Sequence, residues 1–216
     1  MPLHTPSAVM PAEATDPVGD VPPVRILPSQ TSATTLADRA QAAGLAVLAA
    51  SAWPESPADT APPAVAGFVN SSFSPMAAEV ARRCLHRRAT ITTNAAEAAS
   101  PCTAVIIASA LGDLASARHV AQAVDAGVRI GPLLFFQCVP NAVAGHVAAQ
   151  LGLVGPVISV GDERSGLDAA GLLIEDADAD QVLLIRVEQA AAAHDRDRAE
   201  AVLLAAGAAT HERSRT

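Results

Sequence analysis

Two stretches of this sequence are apolar at almost every position: Ala104 to Ser109, reading AVIIAS, and Gln181 to Val187, reading QVLLIRV. A strand with one face in water alternates polar and apolar residues, so a nearly continuous apolar run belongs in a sheet covered on both faces. Such a sheet needs helices above and below it. Between the two runs the period changes. Asp113 to Ala126 reads as a helix closed by Gly127, and Pro140 opens another, with Val143, Val147 and Leu151 on one face and Gly152 at its end. Leu133 to Gln137 reads as an extended apolar run, Val157 to Val160 as a short strand, and Ser165 with Asp168 as a capping pair for a helix through Ile174. This alternation predicts an α/β fold with a layered sheet and helices.

Upstream, Met76, Ala77, Val80, Ala81, Cys84 and Leu85 recur at helical spacing, with Glu79, Arg82, Arg83, His86 and Arg87 on the opposite face. Thr35 to Ala50 reads as an Ala/Leu-rich helix, closed by the breaker-rich stretch Trp53 to Pro63, and Val24 to Leu27 as a short strand. Ala199 to Ala206 reads as a last helix, before a charged end from His211 to Arg215. The expected organisation is a flexible proline-rich tail over 1–23, one domain over 24–190, and a C-terminal helix and tail over 191–216.

Composition narrows the function. Half the residues are apolar but only 2% are aromatic, so small aliphatic side chains must form the interior through many close contacts. A mean hydropathy of +0.30 predicts apolar surface covered by another protein. The fourteen basic residues, all arginine, face 22 acidic ones for a net charge of −8, the opposite of a nucleic-acid binder. Cys84, Cys102 and Cys138 form no paired motif, and the six histidines show no HExxH or i,i+4 spacing, so neither metal nor cofactor is expected. The absence of a leader pattern or a membrane-length apolar run predicts an unexported cytoplasmic protein without a membrane partner.

Four strings carry a family resemblance: Phe73 to Leu85, Val105 to Leu114 (VIIASALGDL), Gly131 to Pro156 (GPLLFFQCVPNAVAGHVAAQLGLVGP) and Ser165 to Glu188. Together they resemble the N-terminal half of the β-ketoacyl synthases, the condensing enzymes of fatty acid and polyketide assembly. The resemblance implies a thiolase-like ketosynthase fold, present here as its N-terminal half. In an active synthase a cysteine stands at the elbow before the helix, where backbone amides favour its thiolate. Here the stretch is VISVGDERSGLDAAG, and GLDA from Gly166 to Ala169 resembles the chain-length factors. That alignment puts Glu163 at the nucleophile position, with Asp162 or Arg164 as alternative occupants. None is a thiol. The family's catalytic histidines and lysine come from a C-terminal half not expected here, because the sequence ends soon after Val187.

The resemblance therefore implies a non-catalytic subunit like the chain-length factors of type II polyketide synthases, including those for aryl polyenes. It would pair with a full-length ketosynthase as a heterodimer or heterotetramer, help shape the acyl tunnel, and meet acyl carrier protein transiently. Its expected partner and tunnel residues are Phe135, Phe136, Cys138, Asn141, Val143, His146 and Val147. Arg82, Arg83, Arg87 and Arg88 are candidates for carrier-protein docking, against the plainer reading of a solvated helix face. Two other readings stand beside this one. One is a stand-alone acyl hydrolase or transferase using Cys138, which otherwise reads as a buried small hydrophobe. The other is a homodimeric scaffold that binds acyl carrier protein.

Overall fold

The computed structural model describes residues 35–91, 100–192 and 194–207. The expected 1–23 tail, the strand Val24 to Leu27 and the charged end from His211 lie outside them. At the centre is a five-stranded sheet of β1 (Ala46–Trp53), β2 (Thr103–Ala108), β3 (Val157–Val160), β4 (Gln181–Glu188) and β5 (Arg198–Ala205), in the order β1-β5-β4-β2-β3. β2 runs parallel to both β3 and β4, whereas β5 is antiparallel to β4 and β1. The continuous apolar run in β4 thus marks the middle strand.

Helices cover both faces. α2 (Phe73–Ile91) and α5 (Pro140–Leu151) pack Met76, Ala77, Val80, Ala81, Val143, Ala144 and Val147 against Val105, Ile107, Leu183 and Ile185. On the other face, α1 (Leu36–Ala42) and α6 (Glu163–Glu175) bring Leu36, Ala40, Leu167 and Ala170 onto Ala104, Ile106, Val182 and Leu184. Alternate residues of one strand therefore enter two different cores, which is why β2 is buried at every position. α3 (Leu114–Asp125) begins at the Asp113 cap, whose carboxylate accepts from Ser116 N at 3.0 Å. α4 (Pro132–Cys138) leads directly into α5, which ends at Gly152 in the left-handed conformation (φ 65°).

Three expected elements have a different form. The helix expected from Thr35 to Ala50 stops at Ala42, because Gly44 (φ 85°) turns the chain and Ala46 onward pairs with β5 as a strand. Alanine and leucine fit either element, and the sheet decides between them. Ala199 to Ala206, expected as a helix within the 191–216 C-terminal segment, is instead β5, held between β1 and β4. Leu133 to Gln137 is helical rather than extended, opened by Pro132 at a first-turn position; a short apolar run has no period that separates the two. α4 and α5 together are apolar enough for a membrane span but meet at 75°, and no single described helix is long and apolar enough to cross one.

The turn into β3 sets a close backbone approach. A Cβ on Gly155 would lie 2.5 Å from Ala104 N and from the Thr103 carbonyl carbon, while Gly155 N donates to Thr103 O at 3.1 Å. Gly171, in α6, has nothing within 4 Å of the same position. Gly155→Ala is expected to destabilise the protein by roughly 1–3 kcal/mol through forced displacement of β2. Gly171→Ala is expected to be neutral or stabilising by up to about 1 kcal/mol; urea denaturation of the two variants checks the contrast.

Candidate functional site at the α6 N-terminus and the α4 surface

β3 delivers the chain through Gly161 to Asp162, whose extended backbone (φ −157°) ends the strand and caps α6. Asp162 Oδ1 accepts from Ser165 N at 2.9 Å and Oδ2 from the Ser165 hydroxyl at 2.7 Å. These bonds hold the Asp162 carboxyl below the usual range, the Ser165 backbone amide contributing most. The capping role expected for Ser165 and Asp168 therefore belongs to Asp162, and the helix starts at Glu163. Asp168 instead faces the exposed Arg164 at 4.0 Å, an i,i+4 pair of little energetic weight.

Of the three residues at the elbow, Glu163 is the one turned inward, its side chain 10% exposed. Its Oε2 accepts from Arg186 Nη1 at 2.5 Å and from Arg39 Nη1 at 3.0 Å. Arg186, on β4, also pairs with Glu200, which is its register partner on β5. A first-turn carboxylate is favoured by the helix dipole, and two guanidinium groups fix it further. Four charged residues from α1, α6, β4 and β5 thus converge at the elbow. Arg39, Arg186 and Glu200 escaped the sequence reading because they lie 124, 23 and, for the Arg186 to Glu200 contact, 14 positions from their partners. No local motif signals such pairs.

The expected interface residues range from exposed to fully buried. Phe135 and Phe136 are 60% and 61% exposed on α4, beside the exposed Leu133 and Val139, while Leu134 and Gln137 turn inward. An open groove of about 490 Å³, lined by Val69, Val128, Ile130, Leu133 and Leu134, adjoins them. Val143 and Val147, by contrast, are core residues facing the sheet. His146 packs edge-on to Phe68 with ring centroids 5.5 Å apart, and Asn141 Oδ1 accepts from the Ser159 hydroxyl at 2.5 Å. Cys138 is half-buried at the end of α4. Cys84 lies in the core, where burial pushes its thiol up to about 12. Cys102 opens the turn into β2, its backbone N–H donating to Asp180 at 2.8 Å.

The arginines of α2 meet carboxylates of the same chain. Arg83 binds Asp59 and Glu79, each at 2.7 Å, and lies over the Trp53 ring at 4.8 Å. Arg87 reaches Glu55 at 2.6 Å and the Ala50 carbonyl at 2.7 Å, and the exposed Arg82 shares Glu79 at 2.8 Å. Glu79, expected on the polar face, is buried beneath them. Arg88 follows, half-buried in the last turns of α2. The cluster clamps the loop after β1 onto α2.

Comparison with known proteins follows the same outline. The family model for the beta-ketoacyl synthase N-terminal domain matches residues 16–183. A solved ketosynthase in complex with its chain length factor from Xenorhabdus doucetiae is similar at 21% identity and a TM-score of 0.51, over 65% of this chain and 60% of that one. The ishigamide ketosynthase/chain length factor matches at 18% identity and a TM-score of 0.51, over 65% and 45% of the two chains. A beta-ketoacyl synthase from Burkholderia phymatum STM815 matches at 14% identity and a TM-score of 0.53, over 72% and 48%. At these identities the likeness is one of fold. The matches span 60%, 45% and 48% of those proteins' own lengths. No curated protein matches the sequence.

The clamp on α2 makes stability depend on pH. Arg87 holds Glu55 below the usual carboxylate range, Arg83 does so for Asp59, and Arg82 for Glu79. The folded protein then binds fewer protons than the unfolded chain in acid, so this stabilisation is complete above the ordinary carboxylate range and is lost progressively as pH falls from there through the lowered folded-state values. The thermal midpoint is expected to begin falling near about pH 5 and to keep falling below about pH 3. Arg83→Met, which keeps the packing on Trp53, is expected to make that fall shallower in thermal denaturation at fixed ionic strength.

Proposed function

Because this chain belongs to the β-ketoacyl synthase family, through that family's N-terminal domain, we propose that it is a non-catalytic subunit of the chain-length-factor kind. In this reading it forms a heterodimer with an active ketosynthase in polyketide assembly, and the partner does the chemistry. The observation that carries the reading is the inward residue at the α6 N-terminus, Glu163, bound by Arg39 and Arg186. The acyl transfer that the resemblance implies for an active synthase runs through a cysteine thiolate, a soft nucleophile with a ready lone pair. A carboxylate held by two guanidinium groups has neither property. The chain's own thiols do not replace it: Cys84 is kept protonated in the core, and Cys102 and Cys138 belong to the turn before β2 and the end of α4.

Two features support pairing with another protein. Leu133, Phe135, Phe136 and Val139 give α4 an outward apolar surface, of the aromatic kind enriched in interface cores. β3, a four-residue strand without proline or lysine, forms one edge of the sheet, and α5, the helix that follows α4, packs against it. The likeness to a ketosynthase in complex with its chain length factor agrees with such a partner. On this reading the α4 surface contributes to the wall around the growing acyl chain, and acyl carrier protein engages the pair transiently.

Co-expression with an active ketosynthase of the same source, followed by size-exclusion chromatography with light scattering, tests the proposal. The expected result is a stable complex of the two, with Phe136→Asp weakening it by at least about tenfold. Glu163→Cys in this chain alone is expected to give no condensation of malonyl units. Condensation by that variant, or a monodisperse chain indifferent to the synthase, overturns the reading.

A further inference from the structure

Of the four helices that cover the sheet, α1 is held by the fewest buried residues. It is seven residues long, and Leu36 and Ala40 are its buried side chains. Two helical turns are too few to persist in water without packing, so α1 exists only while docked. Its own polar contacts are mostly internal: Thr35 and Asp38 form a reciprocal capping box, with Thr35 N donating to Asp38 at 2.9 Å. Among the described residues, one side-chain hydrogen bond joins α1 to another element, from Arg39 Nη1 to Glu163 at 3.0 Å.

The chain leaving α1 has the form of a hinge with a fixed base. Gly44 carries φ 85°, and a Cβ on Gly207 would fall 2.0 Å from the Gly44 carbonyl oxygen, so the backbone after β5 presses against this turn. The turn is therefore held from one side while α1 lies beyond it. An open groove of about 220 Å³ lies beside Leu36, floored by Ala50, Ala201 and Val202 and edged by Glu200. Among the described residues the helix thus has one side-chain latch and one anchored end.

We propose that α1 is a hinged strap, latched to the first turn of α6 by Arg39 and Glu163, which opens about Gly44 without unfolding the sheet. Opening removes one of the two cations that hold Glu163 and extends the groove beside Leu36 over the apolar face formed by Val47, Val202 and Leu204. Glu163 is then a positioning residue for α1, whatever partner the chain has. The elbow is closed in the docked state by its own chain: Asp162 occupies the Ser165 amide, and Arg39 covers Glu163.

Hydrogen–deuterium exchange of the full chain, read by mass spectrometry on peptides, tests the strap. Amides over 36–43 are expected to exchange at least about tenfold faster than those of α2 and β4 in the same sample, since local opening exposes only the lightly anchored element. Arg39→Ala and Glu163→Ala are each expected to raise exchange over 36–43 by a further threefold to tenfold or so, with β4 and β5 unchanged in Arg39→Ala. Arg164→Ala, on the exposed side of α6, is expected to leave α1 unchanged. Protection over 36–43 equal to that of β4 overturns the proposal. So does an Arg39→Ala variant in which α1, β4 and β5 exchange faster together, or one that fails to fold.

Discussion

The double burial of β2 and β4 is the constraint from which the other elements follow. Each strand sends alternate residues into two cores, so neither face of the sheet can be left to water and helices must close both. The depth of those layers is set by side-chain size. Ala77, Ala81, Ala144 and Ala148 on one side, and Ala40, Gly166 and Ala170 on the other, let helix backbones come close to the sheet. At Gly166 the fit is tight: a Cβ would lie 2.8 Å from Leu184 Cδ1. The absence of a side chain at Gly166 thus lets α6 settle onto Leu184 of β4, the strand that also carries Arg186.

The elbow then shows how one local geometry serves different chemistry. A helix N-terminus offers amide donors and a positive field, conditions that lower the pKa of a thiol placed there and equally favour a carboxylate. Here the amide of Ser165 is taken by Asp162, and the field is shared by a carboxylate already bound to two arginines. In this chain those features hold the Glu163 carboxylate between Arg39 and Arg186. Such a network is a weak source of net stability, because desolvating the ions offsets their attraction. Its firmer effect is geometric: Arg186 and Glu200 are register partners, so the network ties α6 to one pairing of β4 with β5.

What could be read from the sequence divides along the range of the interactions. β2, β4, α3 and α5 were legible because their signals are local: continuous apolar runs, Asp113 and Pro140 at helix starts, Gly152 at an end. β1 and β5 were not, because AVLAASAW and RAEAVLLA suit a helix as well as a strand until pairing decides. The family resemblance in Gly166 to Ala169 directs attention to Asp162, Glu163 and Arg164; in the structure Glu163 turns inward, Asp162 caps α6 and Arg164 lies outside, a division that no local pattern announces. The arginines of α2 were read as a patch of charge, yet Glu55 and Asp59, which meet Arg83 and Arg87, stand 24 to 32 positions away. Charge runs alone do not reveal which partners a loop brings back.

α4 poses a different physical question, because its polarity is inverted for a helix facing water. Gln137, a polar residue, is 8% exposed, while Phe135 and Phe136 stand outside at 60% and 61%. A sequence shaped only by this chain's own folding would gain by exchanging them, since burying an aromatic side chain is favourable and burying an amide requires a partner. Of the four phenylalanines, Phe68 and Phe73 occupy the interior. The exposed pair, only partly covered, contributes less to the stability of the isolated fold than enclosed rings would. They sit in the middle of α4, which Pro132 opens and which leads into the Pro140 start of α5, so the helix presents both rings on its outward side.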